Sequence, residues 1–207
     1  MSLAVEVRGG IHDIGIALRR PEEFAVHWQR RRSEPAPHPI VFPILVANAV
    51  VGLAAYGLTV GLNAGLGAML LQAAVLPIAC GLAWLVALPA LYILNSALGS
   101  RLDASTTTLA ALVTVSFGAL AMLASVPVTW FFALAAPESS AVQLVVNVAV
   151  FGGVGFCMSD VFLRVMQALE PERSRFYPFV WLGLVATIGT ELMSMLHVGP
   201  FTHFTRL

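Results

Sequence analysis

The sequence predicts an all-α fold: a polytopic membrane helix bundle with five transmembrane helices and an amino-terminal cytoplasmic amphipathic arm. Three observations predict it. Only 11% of the residues are charged and 58% are hydrophobic, against roughly 25% charged in a soluble domain, and the mean hydropathy is +0.86. Five apolar stretches each reach the roughly 20 residues that span a hydrocarbon core. The arginines, finally, gather on one side of the membrane that those stretches define.

The arm and its linker occupy residues 1–39. Ile11, Ile14 and Leu18 recur at helical spacing, opposite Asp13 and Arg20. Pro21 opens a second short helix, with Glu22 and Glu23 in its first turn and Arg30, Arg31 and Arg32 at its end. That order complements the helix dipole. Phe24 and Trp28, four residues apart, share one face. Two uses fit the pattern. The helix lies on the inner leaflet with its arginines against anionic headgroups, or it packs beneath the bundle as a lid. Ser33-Glu-Pro-Ala-Pro-His-Pro39 then breaks the helix. Acidic residues before the first apolar run (Glu6, Asp13, Glu22 and Glu23) are foreign to a cleavable signal peptide, so the first span is expected to direct insertion.

The transmembrane domain is placed at residues 40–197, as Ile40–Leu62, Ala68–Ala97, Thr107–Ala136, Ala141–Met166 and Tyr177–His197. A short external tail, 198–207, follows. Pro77, Pro89 and Pro127 are the expected kink points. With the amino terminus inside, ten arginines fall on cytoplasmic segments: Arg8, Arg19, Arg20, Arg30–Arg32, Arg101, Arg164, Arg173 and Arg175. Only Arg206 falls outside, a strong positive-inside bias. Trp130, Phe131 and Phe132 sit where the outer interface is expected, and Phe176, Tyr177, Phe179 and Trp181 where the inner one is. Pro178 lies in the first turn of the last helix, where its missing N–H costs little. All basic side chains are arginine. That composition hints at a GC-rich bacterial genome, and with it at the bacterial cytoplasmic (inner) membrane.

Zero net charge and the absence of a basic stripe argue against nucleic acid binding. No H-E-x-x-H, G-x-S-x-G or P-loop appears, so no enzyme and no cofactor are expected. Cys80 and Cys157 lie in apolar runs without C-x-x-C or histidine partners, and are expected to be buried free thiols. Glu191, His197 and His203, six residues apart, do not share a helix face, so no metal site is expected. Ionisable groups inside a membrane are functional-site hypotheses by default. Asp160 is expected to pair with Arg164 one turn later. Glu191 lies about 21 Å from the inner end of its span at 1.5 Å per residue, a depth that antiparallel topology also gives to Asn147 and Gln72. An intramembrane polar layer of Gln72, Asn147 and Glu191, beside Thr190 and Ser194, is either interhelical glue or a site for an ion or polar ligand. Gly57, Gly61 and Gly65, and the cluster Gly152, Gly153 and Gly155, offer small-residue seams for internal packing or dimerisation.

The chain resembles the Yip superfamily of small five-helix membrane proteins, particularly its bacterial members, over roughly residues 15–197. Leu18-Arg-Arg-Pro-Glu-Glu-Phe24 is similar to that family's "P-x-x-F" amphipathic entry. Leu91-Tyr-Ile-Leu-Asn-Ser-Ala-Leu-Gly-Ser-Arg-Leu-Asp103 is similar to the end of its second helix and the glycine turn after it. Thr106–Pro127 is similar to its small-residue-rich third helix with a late proline. The resemblance bears on the fold more than on the activity; with no catalytic signature in the chain, the preferred expectation is a non-enzymatic membrane organiser or accessory subunit working through helix and membrane-surface contacts. Its partners would be the lipid bilayer together with a membrane protein or a second copy of the chain. Eukaryotic relatives act in membrane traffic and associate with small GTPases, but their D-L-Y-G-P type motif is absent here. That partnership is not carried over. The alternative expectation is a small transporter or channel component using the Gln72–Asn147–Glu191 layer.

Overall fold

The computed structural model describes residues 15, 17, 19–31, 41–97, 99–100, 102–172 and 176–195, without the side chains of 31, 177, 178 and 193. Among these residues every element of regular secondary structure is a helix, joined by short turns. The pattern of Ile11, Ile14 and Leu18, the linker 33–39, Arg32, Arg101, Arg173, Arg175, Arg206, His197 and His203 lie outside the described residues.

Helix α1 covers Pro21–Arg31 and α2 Val41–Val60; a short 3-10 turn, Leu62–Ala64, leads to α3, Leu66–Ala97. Then come α4 at Ala104–Ala135, α5 at Ser140–Leu169 and α6 at Phe176–Met195. Four of these, α2 to α5, are long and apolar enough to cross a membrane. In α6 the described apolar stretch is the shorter Phe179–Leu192, inside a helix of 20 residues.

Local sequence explains the helix ends. The carboxylate of Asp103 caps α4, accepting from the Ser105 N–H at 3.0 Å and the Thr106 hydroxyl at 2.6 Å. Ser139 caps α5 through the Val142 N–H. Gly99, at φ 80°, closes α3, and the Ser100 N–H reaches back to the Asn95 carbonyl at 2.9 Å. A positive φ strains any residue with a Cβ, which is why glycine stands there.

Helix α4 sits at the centre, packed against α2 on one side and α5 on the other. Helix α2 also packs on α3, α3 on α6, and α1 lies under the ends of α5 and α4. Helices α5 and α6 meet only briefly. Glycines set the closest approaches. A Cβ on Gly52 would stand within 3 Å of the Ala119 backbone, and one on Gly57 within 3 Å of Gln72 and Ala73. Gly61 lies equally close to Ala68 and Met69. The expected seam of Gly57 and Gly61 is thus an internal joint between α2 and α3, while Gly65, at φ 94°, turns the chain. Gly152, Gly153 and Gly155 have open space where a Cβ would go.

The apolar core has two levels. At the arm end, Ala25, Leu91, Phe162, Val165 and Trp181 pack together from five helices counting α4's Ala110 and Ala111. At the distal end, Leu53, Tyr56, Leu76, Met122 and Val154 pack from α2 to α5. Helix α6 contributes to the first and not to the second. Trp181, expected at a membrane interface, is instead 0% exposed. Its indole N–H donates to the Ala87 carbonyl at 3.0 Å, and its ring centroid lies 4.7 Å from Phe162 and 5.2 Å from Trp84. An indole satisfies both demands of such a place, a large apolar body and one donor that finds an acceptor.

Candidate functional site

Polar side chains inside the spans join one helix to another. The Asn48 amide donates to the hydroxyl and carbonyl of Ser116, at 2.6 and 2.9 Å, tying α2 to α4. The Tyr56 hydroxyl donates to Asn147 Oδ1 at 2.6 Å, tying α2 to α5, and the Asn147 amide donates to the Gln143 carbonyl at 2.9 Å. The Thr129 hydroxyl lies 3.1 Å from that of Thr59. With no water in a bilayer core, such groups must find partners on neighbouring helices. Sequence reasoning singled out Asn147 and missed Tyr56, Asn48, Ser116, Thr59 and Thr129. The signal was present as isolated polar residues within apolar runs, but nothing in sequence says which pairs meet.

The expected layer separates into three places. Asn147 is engaged by Tyr56 and by its own helix. The backbone of Gln72 abuts Gly57, and its Oε1 is buried without a hydrogen-bond partner among the described residues. Glu191 is exposed on the distal half of α6, beyond Ile188, the last residue of that helix packed against the arm-end core. No described hydrogen bond joins any two of the three. Thr190 and Ser194 are exposed beside it, the Thr190 hydroxyl donating to the Ala186 carbonyl at 2.8 Å.

Between the two core levels lies an open cavity of about 390 Å³, within the range of small-ligand sites. All five long helices line it: Leu53 from α2, Cys80, Ala83 and Trp84 from α3, and Val115, Gly118, Ala119 and Met122 from α4. Phe151, Val154, Gly155, Met158 and Ser159 of α5 face Leu182, Val185, Ala186, Gly189 and Thr190 of α6. Every contributing segment is the middle of its helix. Gly118 leaves room for the Met158 side chain, whose thioether a Cβ there would strike. None of Gln72, Asn147 and Glu191 lines the cavity. Cys80 does, as a free thiol; Cys157, expected to be buried, is free and exposed on α5. The apolar run around Cys157 signals lipid contact rather than burial in protein.

At the arm end, α1 packs on protein. Phe24 is 7% exposed and clusters with Ala17, Val41, Leu45, Leu109 and Val113. The Trp28 ring stands edge-on to Phe42, centroids 5.4 Å apart. Arg30 is exposed. The expected pair forms, with Arg164 Nε 3.0 Å from Asp160 Oδ2, and the same guanidinium lies 3.8 Å from Glu22 of α1. Arg164 therefore bridges α5 to the arm.

Among the described residues no three histidine, cysteine, aspartate or glutamate side chains gather as metal ligands. Compared with protein-family models, curated proteins and solved structures, the chain finds no match.

Proposed function

We infer that this chain is a non-enzymatic, Yip-like membrane organiser or accessory subunit, acting through helix contacts and its cytoplasmic arm. Five spans belong to this reading, with the amino terminus inside and the carboxyl terminus outside a bacterial inner membrane. Helix α6, at 20 residues, extends about 30 Å, the thickness of a hydrocarbon core, and the ten-to-one arginine distribution supports the orientation.

The observation that carries the reading is the use of the intramembrane polar groups. Asn48, Tyr56, Thr59, Ser116, Thr129 and Asn147 are engaged in bonds that hold α2, α4 and α5 together. The large cavity is lined mainly by apolar side chains. A transport route needs polar groups facing a water-accessible path, and the Gln72–Asn147–Glu191 layer draws no support from the cavity lining.

Reconstitution into proteoliposomes tests this. The organiser reading expects no ion or proton flux above empty vesicles, and a discrete membrane protein copurifying in mild detergent. A flux abolished by Glu191→Gln overturns it in favour of transport. Orientation is checked separately in a background lacking both native cysteines. Arg101→Cys should be shielded from external maleimide while Asn63→Cys and Glu138→Cys are labelled; external labelling of Arg101→Cys overturns the five-span topology.

A further inference from the structure

We propose that the mid-bundle cavity is a binding site for one acyl chain of a bilayer phospholipid, entered sideways between α5 and α6. The inference rests on the membrane reading above, in that α5 and α6 must both lie in the bilayer.

The doorway is read from exposure. Of the residues lining the cavity, the exposed ones are Gly155, Ala186 and Thr190, and all three belong to α5 and α6. Those two helices barely touch, whereas every other wall of the cavity is a packed helix pair or the central helix α4. The doorway is also small-sided. A Cβ added to Gly155 would meet nothing within 4 Å, and one added to Gly189 only Ala83, at 3.8 Å.

The chemistry of the lining selects the occupant. A void with mainly apolar walls forfeits dispersion contacts along those walls when empty. Water is a poor filler, because it needs 2–4 polar partners. The Ser159 hydroxyl already donates to the Gly155 carbonyl and that of Thr190 to the Ala186 carbonyl, each at 2.8 Å. Among the described lining residues one N–H or O–H donor is left, the indole of Trp84. A hydrocarbon chain asks for nothing more. Position argues for a lipid tail in particular. The cavity lies at the middle of all five long helices, where the methyl ends of lipid chains meet, and its opening faces the bilayer rather than either aqueous side. Met122 and Met158 on opposite walls suit a flexible occupant, since thioether side chains adapt to irregular apolar surfaces.

The test uses the full-length protein in phosphatidylcholine vesicles doped with phosphatidylcholine carrying a photoactivatable diazirine near the methyl end of one chain. Adducts are mapped to single residues by mass spectrometry. Leu53 and Met122 are 8% and 5% exposed and line the cavity; they should be labelled along with Phe156, which faces out of the bundle at 77% exposure. Gly155→Trp and Ala186→Trp, each filling the doorway, should abolish labelling at Leu53 and Met122 and leave Phe156 labelled. The same diazirine on a free fatty acid separates the sources: labelling of Leu53 and Met122 by the fatty acid alone overturns the phospholipid assignment. Phe156 labelled with Leu53 and Met122 blank in the unmodified protein overturns the site while sparing the membrane reading. A blank at all three overturns both. Unchanged cavity labelling in both tryptophan variants, folded by circular dichroism, overturns the sideways entry.

Discussion

Helices α4 and α5 are near twins in length and hydropathy and opposites in burial. They run for 32 and 30 residues with mean hydropathies of 2.2 and 1.9 over their most apolar windows. Half of that window is buried inside the protein in α4, and 6% in α5. Hydropathy cannot separate them because lipid tails are as apolar as leucine; it reports membrane, not neighbour. What separates them is how close other backbones can come. The buried positions of α4 include Thr106, Thr107, Ala110, Ala111, Ser116, Gly118 and Ala119, a small-residue surface against which α2 and α5 both settle. Helix α5 has glycines as well, but Gly152 and Gly153 face nothing. Its buried positions, apart from Val154, collect in its last turns, from Val161 to Leu169.

The largest effect should therefore divide α5 itself. Phe162 is 0% exposed and Phe156 77%. Phe162→Ala should lower stability by about 3–5 kcal/mol, read as a fall in the thermal midpoint in detergent. Phe156→Ala should leave that midpoint within the range of about 0.5 kcal/mol typical of surface changes. Equal losses would erase the contrast between the two ends of the helix.

A smaller effect tests the small-residue surface. Gly52→Val drives a side chain into the Ala119 backbone and should cost about 1–3 kcal/mol as overpacking does. Gly153→Val, with open space at its Cβ, should be neutral by the same melting assay. A neutral Gly52→Val would show that α2 and α4 do not need their close approach.

Smaller still is the polar tie. Tyr56→Phe deletes the 2.6 Å bond to Asn147, for which the average interhelical value of about 0.6 kcal/mol applies. A loss of several kcal/mol would mean that α5 hangs on this one bond rather than on its arm-end packing.

The least effect is expected at Glu191. Exposed on the distal half of α6, it should tolerate both Glu191→Gln and Glu191→Leu within about 0.5 kcal/mol. A folded Glu191→Gln protein that has lost its cellular activity would move the carboxylate from bystander to transport group.

Much of the architecture was legible before any fold was known. The four spans α2 to α5 match the apolar runs to within a few residues at most ends, because a long apolar run in a bilayer must satisfy its backbone as helix, while Asp103, Ser139 and Gly99 mark where helices start or stop. The Asp160–Arg164 pair was legible too, since four residues of helix put both side chains on one face. Other readings depended on neighbours. Trp181 reads as an interface aromatic from its place in the chain, but a hydrogen-bond acceptor on α3 and two rings draw it inward. Cys157 reads as buried until the helix turns that face to lipid.

The sequence by itself determined that this is a helical membrane protein, where its long helices begin and end, and which short-range charge pair forms. Those properties follow from length, polarity and spacing along one helix. Tertiary structure alone decided that α4 takes the centre, that Tyr56 meets Asn147 while Glu191 stands apart, and that an apolar cavity opens between α5 and α6. Each of these depends on rotation about a helix axis. In a chain apolar on all sides, rotation leaves almost no trace in hydropathy and is settled only by which small residues let which backbones meet.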